Sequence, residues 1–276
     1  MFSPGIRFMI ICMLLITSMQ LLVKALPEIP VSETILFRSV ISFVLCIIIL
    51  KKKRIGLQGK NPSLLILRGV FGAASLLAFF YTIHHIPLGS AITISHLSPF
   101  VIVLLAHIFL GEKMRKVQWL FFVLSFAGVL LIKGFDSRIS GFDLIVALSA
   151  AVFSGTAHFM VRAIRKDNNP WLVICYFSAI CIPIVLPFAV MNWILPDLKE
   201  LLVLLMIGML SHFGQYFLTR AYSETEETSK ISIIYYVGII LSIAGGYFFY
   251  NEAFSPYVWF GFVLILSGVF FSLKFK

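Results

Sequence analysis

The chain has 276 residues, of which 60% are apolar, 15% aromatic and only 12% charged, with a formal net charge of +10 and a mean hydropathy of +1.02. A soluble domain carries about a quarter charged residues and roughly 45–50% apolar ones, so this composition excludes a soluble globular enzyme and a disordered chain. It also excludes a membrane barrel, whose strands alternate and whose lumen is polar, and leaves an all-α polytopic membrane protein embedded in a lipid bilayer.

Apolar runs between charges and turn residues predict ten transmembrane helices, at 8–24, 32–50, 64–83, 90–110, 117–133, 143–161, 171–194, 200–219, 229–249 and 257–273. At about 20 residues per span they use roughly 200 residues and leave no room for a separate aqueous domain. The first run, Phe8 to Val23, lacks a small-residue cleavage site and reads as a span. The four cysteines, Cys12, Cys46, Cys175 and Cys181, lie inside apolar runs with no CxxC or Cys/His cluster, so neither a disulfide framework nor a metal site is expected.

Lysine and arginine fall unevenly between the connections. With a cytoplasmic N-terminus, sixteen lie on the inside, including Arg7, Lys51 to Arg54, Lys113, Arg162, Arg220 and Lys276, and four outside: Lys24, Lys133, Arg138 and Lys199. The positive-inside rule then puts both termini in the cytoplasm, in a bacterial-type inner membrane. The same asymmetry accounts for the net positive charge as a topology signal. Nucleic acid is not an expected partner, because a basic aqueous surface is missing.

A shift of 140 residues brings two stretches into register. Phe109, Glu112, Trp119, Phe122, Val123, Leu124, Gly128 and Val129 meet the same residue types at Phe249, Glu252, Trp259, Phe262, Val263, Leu264, Gly268 and Val269. Composition alone gives roughly two such matches. The expectation is a first five-helix repeat over 1–134 and a second over 135–276, together one transport domain. Five spans is an odd number, so the second repeat enters the membrane inverted, the architecture of secondary transporters. The competing class is a membrane enzyme or scaffold.

Polar side chains inside spans are expensive and read as functional by default. Arg38 sits roughly 10 Å into span two at 1.5 Å per residue. It either holds an anionic group of a substrate or ties helices together. On span three, Arg68, Gly72, Ser75 and Phe79 share one face, and the shift of 140 matches them to Gly208, His212, Gln215 and Thr219 on span eight. His96 precedes Pro99 by three residues in span four, where the proline removes a backbone donor and predicts a hinge. Tyr235 and Tyr236 in span nine and His158 in span six offer further polar groups, and Lys230 lies about one turn from the cytoplasmic start of span nine. The substrate-binding candidates are therefore Arg38, Ser75, Phe79, His96, His158, His212, Gln215, Lys230, Tyr235 and Tyr236, with Pro99 as hinge. Each histidine can equally be a satisfied interhelical hydrogen-bond partner. All 12 acidic residues lie in loops or near span ends. That argues against an enzyme and against proton exchange on a buried glutamate. Glu112 and Glu252 read as helix-end or gate residues at opposite membrane faces.

The stretches RGVFGAASLLAFFYTIHHIPLGSAITISHLSPFVIVLLAHIFLGEKM (68–114) and RAYSETEETSKISIIYYVGIILSIAGGYFFYNEAF (220–254), followed by WFGFVLILSGVFF (259–271), carry a resemblance. With Pro99 in span four, the Leu-Gly-Glu end of that span, Glu252 and the Gly-Val pairs of spans five and ten, the whole chain resembles the EamA-like branch of the drug/metabolite transporter superfamily. The resemblance implies ten helices in two inverted repeats and a central cavity lined by helices one to four and six to nine. It also implies cytoplasmic termini and a small-molecule substrate moved without a cofactor. LFRSVISF (36–43) and the Arg-Gly of span three are similar to subgroups that include S-adenosylmethionine uptake carriers or exchangers and organic-anion carriers. The expected function is alternating-access transport of a small polar metabolite with an anionic or zwitterionic group, by a monomer or homodimer.

Overall fold

The computed structural model describes residues 4–110, 116–164, 168–223 and 237–274. Among them run eleven helices: α1 (Pro4–Lys24), α2 (Val31–Lys52), α3 (Pro62–His85), α4 (Leu88–Ser95), α5 (Ser98–Leu110), α6 (Lys116–Phe135), α7 (Gly141–Ile164), α8 (Pro170–Met191), α9 (Leu198–Ser223), α10 (Val237–Tyr250) and α11 (Pro256–Lys274). Among the described residues, seven stretches are long and apolar enough to cross a bilayer, including Leu88–Phe109, which runs through α4 and α5. Three shorter apolar stretches, Trp119–Ile132, Gly238–Tyr250 and Pro256–Gly268, accompany them. Glu112, Lys230, Tyr235 and Tyr236 lie outside the described residues.

Local chemistry sets the helix ends. Prolines open α3 and α8, where a missing N–H breaks no helical bond, and the Asn169 side chain accepts from Trp171 N at 3.0 Å. Ser140 and Asp143 form a reciprocal cap on α7: Ser140 Oγ accepts from Asp143 N at 3.0 Å and Asp143 Oδ2 accepts from Ser140 N at 3.1 Å. Asp197 and Glu200 do the same on α9, at 2.7 and 2.8 Å. Large apolar side chains such as Leu14, Ile48, Phe109, Phe188 and Phe248 face outward, as a lipid-facing surface requires.

The fourth apolar run differs from a single helix. It breaks at His96 and Leu97: the His96 N–H is shared between Ile92 O at 3.1 Å and Thr93 O at 3.2 Å, and the Leu97 N–H bonds three residues back, to Ile94 O at 3.0 Å. Pro99 is the second residue of α5 and is not buried in a helix middle. Its ring clashes with a helical carbonyl four residues earlier, at Ser95, where α4 ends.

Helix packing falls into matched sets. α3 packs on α7 and α1 on α9; α3 on α8 and α2 on α9; α5 on α7 and α1 on α10, with α2–α8 and α6–α11 as further pairs. Two glycines let α6 and α11 touch along their backbones. A Cβ on Gly128 would lie 2.7 Å from Gly261 O, and one on Gly268 would lie 2.7 Å from Phe121 O. Both members of these two contacts are offset by 140 positions. At α3 and α9 the offset changes. A Cβ on Gly69 would lie 2.6 Å from Ile180 Cδ1, and one on Gly208 would lie 2.5 Å from Ile41 Cδ1, an offset of 139.

Candidate functional site

Between α1, α2, α3, the α4–α5 break, α7, α8 and α9 lies a cavity of about 120 Å³. Six of the residues singled out from sequence line it: Arg38, Ser75, Phe79, His96, His158 and Gln215. Arg68, Phe177, Thr17, Gln20, Ser95 and Ser154 line it as well.

Two guanidiniums dominate its chemistry. Arg38 and Arg68 are 3% and 5% exposed. Both lie over the ring of Phe177, with Arg38 Cζ at 5.3 Å and Arg68 Cζ at 4.1 Å from its centroid. Arg68 Nη2 donates a long bond to Gln215 Oε1 at 3.4 Å. Arg38 Nε and Arg68 Nε and Nη1 are buried with no hydrogen-bond partner. Among the described residues the ion pairs are Lys24–Glu252 and Arg138–Asp136, so neither cavity arginine meets a carboxylate. A desolvated cation–π contact is worth about 2 kcal/mol, whereas burying an ion costs several kcal/mol. Among the described residues, the ring and the Gln215 oxygen leave most of both charges uncompensated.

Glycine makes this arrangement possible. A Cβ on Gly72 would come within 2.6 Å of Phe177 Cε2 and would also strike Arg68 Nη1. The bare helix surface at Gly72 is where the ring and the guanidinium lie.

The polar remainder is arranged around the pair. His158 shares a hydrogen bond with Ser154 Oγ at 3.2 Å. His96, at the α4–α5 break, donates from Nδ1 to Ile92 O at 2.7 Å. Ser75 Oγ donates to Ala150 O at 3.2 Å, linking α3 to α7.

The structure does not bring His212 to the cavity lining. It is fully buried between α2, α8 and α9, with Nδ1 3.0 Å from Ser42 Oγ and its ring 5.4 Å from that of Trp171. One turn before Gln215, α9 has already passed from the cavity into this aromatic junction. Phe177 was missed because a phenylalanine in an apolar span carries no polar signal. Arg68 carried one, being a cation inside a span.

The EamA-like transporter family matches the chain twice, over residues 3–134 and 142–274. The chain belongs to that family. It is similar to the pseudopaline exporter CntI of Pseudomonas aeruginosa, with 31% identity over 253 residues, 91% of this chain and 89% of that protein. A riboflavin transporter of Rhizobium johnstonii is 26% identical over 80% of this chain and 74% of its own length. Mouse solute carrier family 35 member G1 is 27% identical over 86% of this chain and 69% of its own. A solved crystal structure superposes with a TM-score of 0.71 at 16% identity, covering 98% of this chain and 96% of the other. That likeness concerns the fold alone. Membership in the EamA-like family makes the chain a multi-pass membrane transporter.

Proposed function

We propose that this EamA-like chain is a secondary carrier of a small polar organic metabolite bearing an anionic or zwitterionic group, working by alternating access in an inner membrane. One observation carries the reading: Arg38 and Arg68 are buried on one phenyl ring in a cavity where neither meets a carboxylate among the described residues. An organic anion offsets both charges, and a guanidinium matches carboxylate or phosphate with two parallel hydrogen bonds. The partnerless N–H groups of Arg38 and Arg68 supply donors. Phe79 and Phe177 offer apolar surface, and Ser75, His96, His158 and Gln215 offer polar contacts for the rest of the molecule. Lys230, Tyr235 and Tyr236 complete the recognition surface in this reading.

The proposed architecture is ten spans in two inverted repeats, residues 1–134 and 135–276. Three observations support it. The family match repeats along the chain. The glycine contacts recur at offsets of 140 and 139. The packing pairs interchange when α1, α2 and α3 are swapped with α7, α8 and α9. The lysine and arginine asymmetry supports cytoplasmic termini. In that orientation the end carrying Lys24 and Glu252 faces outward.

A ligand that binds the native state raises its stability by mass action. A thermal-shift screen of the nanodisc-embedded protein against metabolites therefore tests the substrate class. The strongest stabiliser should carry an anionic group. Its affinity should fall about ten-fold or more in Arg38→Ala, and by less in Arg38→Lys, which keeps charge but loses the fork. Unchanged affinity in both variants makes Arg38 a structural tie, and a purely cationic best ligand overturns the anion site. Saturable flux of the stabilising metabolite into proteoliposomes separates a carrier from a membrane enzyme or scaffold.

A further inference from the structure

A second cavity lies away from the arginines, on the outward face of the bundle. It holds about 470 Å³ between α10 and α11, a volume in the range of small-molecule sites, about 300–1,000 Å³. The two helices are consecutive in the chain but lean on different neighbours, α10 on α1 and α4, α11 on α6 and α4. Ile239 and Phe262 are buried at the back of the groove, and Ile240, Tyr247 and Val263 stand exposed along its rim. At the end next to the α10–α11 loop, Phe254, Trp259 and Phe262 meet edge to face, with ring centroids 5.2, 5.7 and 6.2 Å apart. Such packing gives that end a firm aromatic wall.

A cation stands at the same end. Arg138, between α6 and α7, donates from Nη2 to Ala253 O at 3.0 Å, and its Cζ lies 5.3 Å from the Phe254 centroid. Ala253 and Phe254 both line the groove. Arg138 also holds Asp136 from Nε at 2.8 Å and Nη2 at 2.9 Å, bonds in which Nη1 takes no part. The Arg138 side chain is 42% exposed and that of Asp136 only 4%. The guanidinium can therefore be reached from outside, whereas the carboxylate cannot.

An apolar slot on a lipid-facing surface, with a reachable guanidinium at one end, matches the two halves of a phospholipid. Water in the slot would lack the two to four polar partners it needs, whereas an acyl chain from the surrounding bilayer needs none. A guanidinium binds phosphate oxygens by charge-assisted hydrogen bonds. The dimensions agree. From Ile239 to Tyr247 the helix rises about 12 Å, close to the roughly 15 Å of one leaflet, half of the hydrocarbon core. We infer that the groove is a site for one phospholipid molecule, with its phosphate on Arg138 and an acyl chain between α10 and α11. In the orientation proposed above, the lipid comes from the outer leaflet.

The site adjoins the start of α4. A Cβ on Gly89 would lie 2.9 Å from Ile243 Cγ1 and 3.1 Å from Phe254 Cζ, both groove residues. Glu252 lines the groove as well and accepts from Leu88 N at 2.9 Å. A seated lipid supports from the bilayer side the same end that Lys24 and Glu252 hold from within.

The test uses dioleoylphosphatidylglycerol added to the full chain after delipidation in detergent, with bound lipid counted by native mass spectrometry and melting followed alongside. One molecule per chain should bind and raise the melting temperature. Dioleoylglycerol has the same chains without the phosphate and should bind about ten-fold more weakly, the scale of a lost charge-assisted hydrogen bond. Arg138→Gln should bring the phospholipid down to that level, and Arg138→Lys should recover part of the difference. Ala244→Phe places a ring in the groove and should remove the one-to-one species; Val263→Trp does so from the α11 wall and serves if the first variant fails to fold. Equal binding of the two lipids, or a lipid count that the groove-filling variants leave unchanged, overturns the site. So does a dimer that these variants split without altering the lipid count, which would give the groove to a second copy of the chain.

Discussion

Two groups of buried charge in this molecule are treated in opposite ways. At one end, Lys24 at the close of α1 forms an ion pair with Glu252 in the loop after α10. Both Glu252 oxygens accept from Leu88 N at 2.9 Å, and Lys24 Nζ donates to Ile86 O at 3.1 Å. The carboxylate caps the start of α4, and the ammonium sits at the carboxyl end of α1, so both helix dipoles add to the pairing. Every charge there has a partner, and three elements are tied together. In the centre, Arg38 and Arg68 share a ring and leave three donors bare. A satisfied charge cluster fixes one conformation. An unsatisfied one is stabilised by whatever brings the missing charge, and that is how a binding site differs from a brace.

The contrast predicts opposite signs for charge removal. Glu252→Ala strands Lys24 and uncaps α4, and should destabilise the fold by about 3 kcal/mol, the low end for a broken buried pair because Lys24 keeps some access to solvent. Unfolding in lipid nanodiscs measures it. The double variant Lys24→Met with Glu252→Gln should recover most of the loss. A double variant as unstable as the single one would mean that the pairing is not what holds this end.

Arg68→Met should do the reverse. It removes a cation that meets no carboxylate among the described residues and keeps an unbranched chain beside Phe177, so stability should rise by about 1 kcal/mol. Ligand affinity should fall in the same variant. A lower unfolding midpoint would show that Arg68 is already compensated in the empty protein, and the central site would then resemble the Lys24–Glu252 end.

Much of this could be read from the chain, and the limits are physical. Span positions follow from apolar runs, and a buried arginine announces itself in any apolar run. Six of the candidate residues converge on one cavity for that reason. His212 shares a helix face with Gln215 by spacing, but spacing on one helix does not contain Trp171 or Ser42 on its neighbours. Phe177 is one of 28 phenylalanines, and only the fold puts it beneath two guanidiniums. Glu252 was recognisable as a helix-end residue. Its partner Lys24 lies in the first helix, and no local pattern joins them. The shift of 140 rests on identities between 109–129 and 249–269, and the sequence marks no comparable run of identities at α3 and α9.

The smallest expected effect separates bracing from movement. Pro99 stands at the second position of α5, where a missing N–H breaks no helical bond. Its contribution is to keep Ser95 and His96 from continuing the helix. Pro99→Ala removes that obstacle, but the turn bonds at His96 and Leu97 and the His96 Nδ1 bond to Ile92 O remain available. Stability should therefore change by only about 0.5 kcal/mol, within the range of substitutions that touch no special feature. Turnover should fall several-fold with affinity nearly unchanged, because a hinge acts on the conformational step and not on the bound state. Flux and affinity measured on the same preparation resolve the two. Equal turnover in a well-folded variant would leave the α4–α5 break as a fixed bend that shapes the cavity. Lost affinity with normal turnover would assign Pro99 to positioning His96 for the ligand. Only a fall in turnover alone keeps it as the pivot between the braced Lys24–Glu252 end and the charged centre.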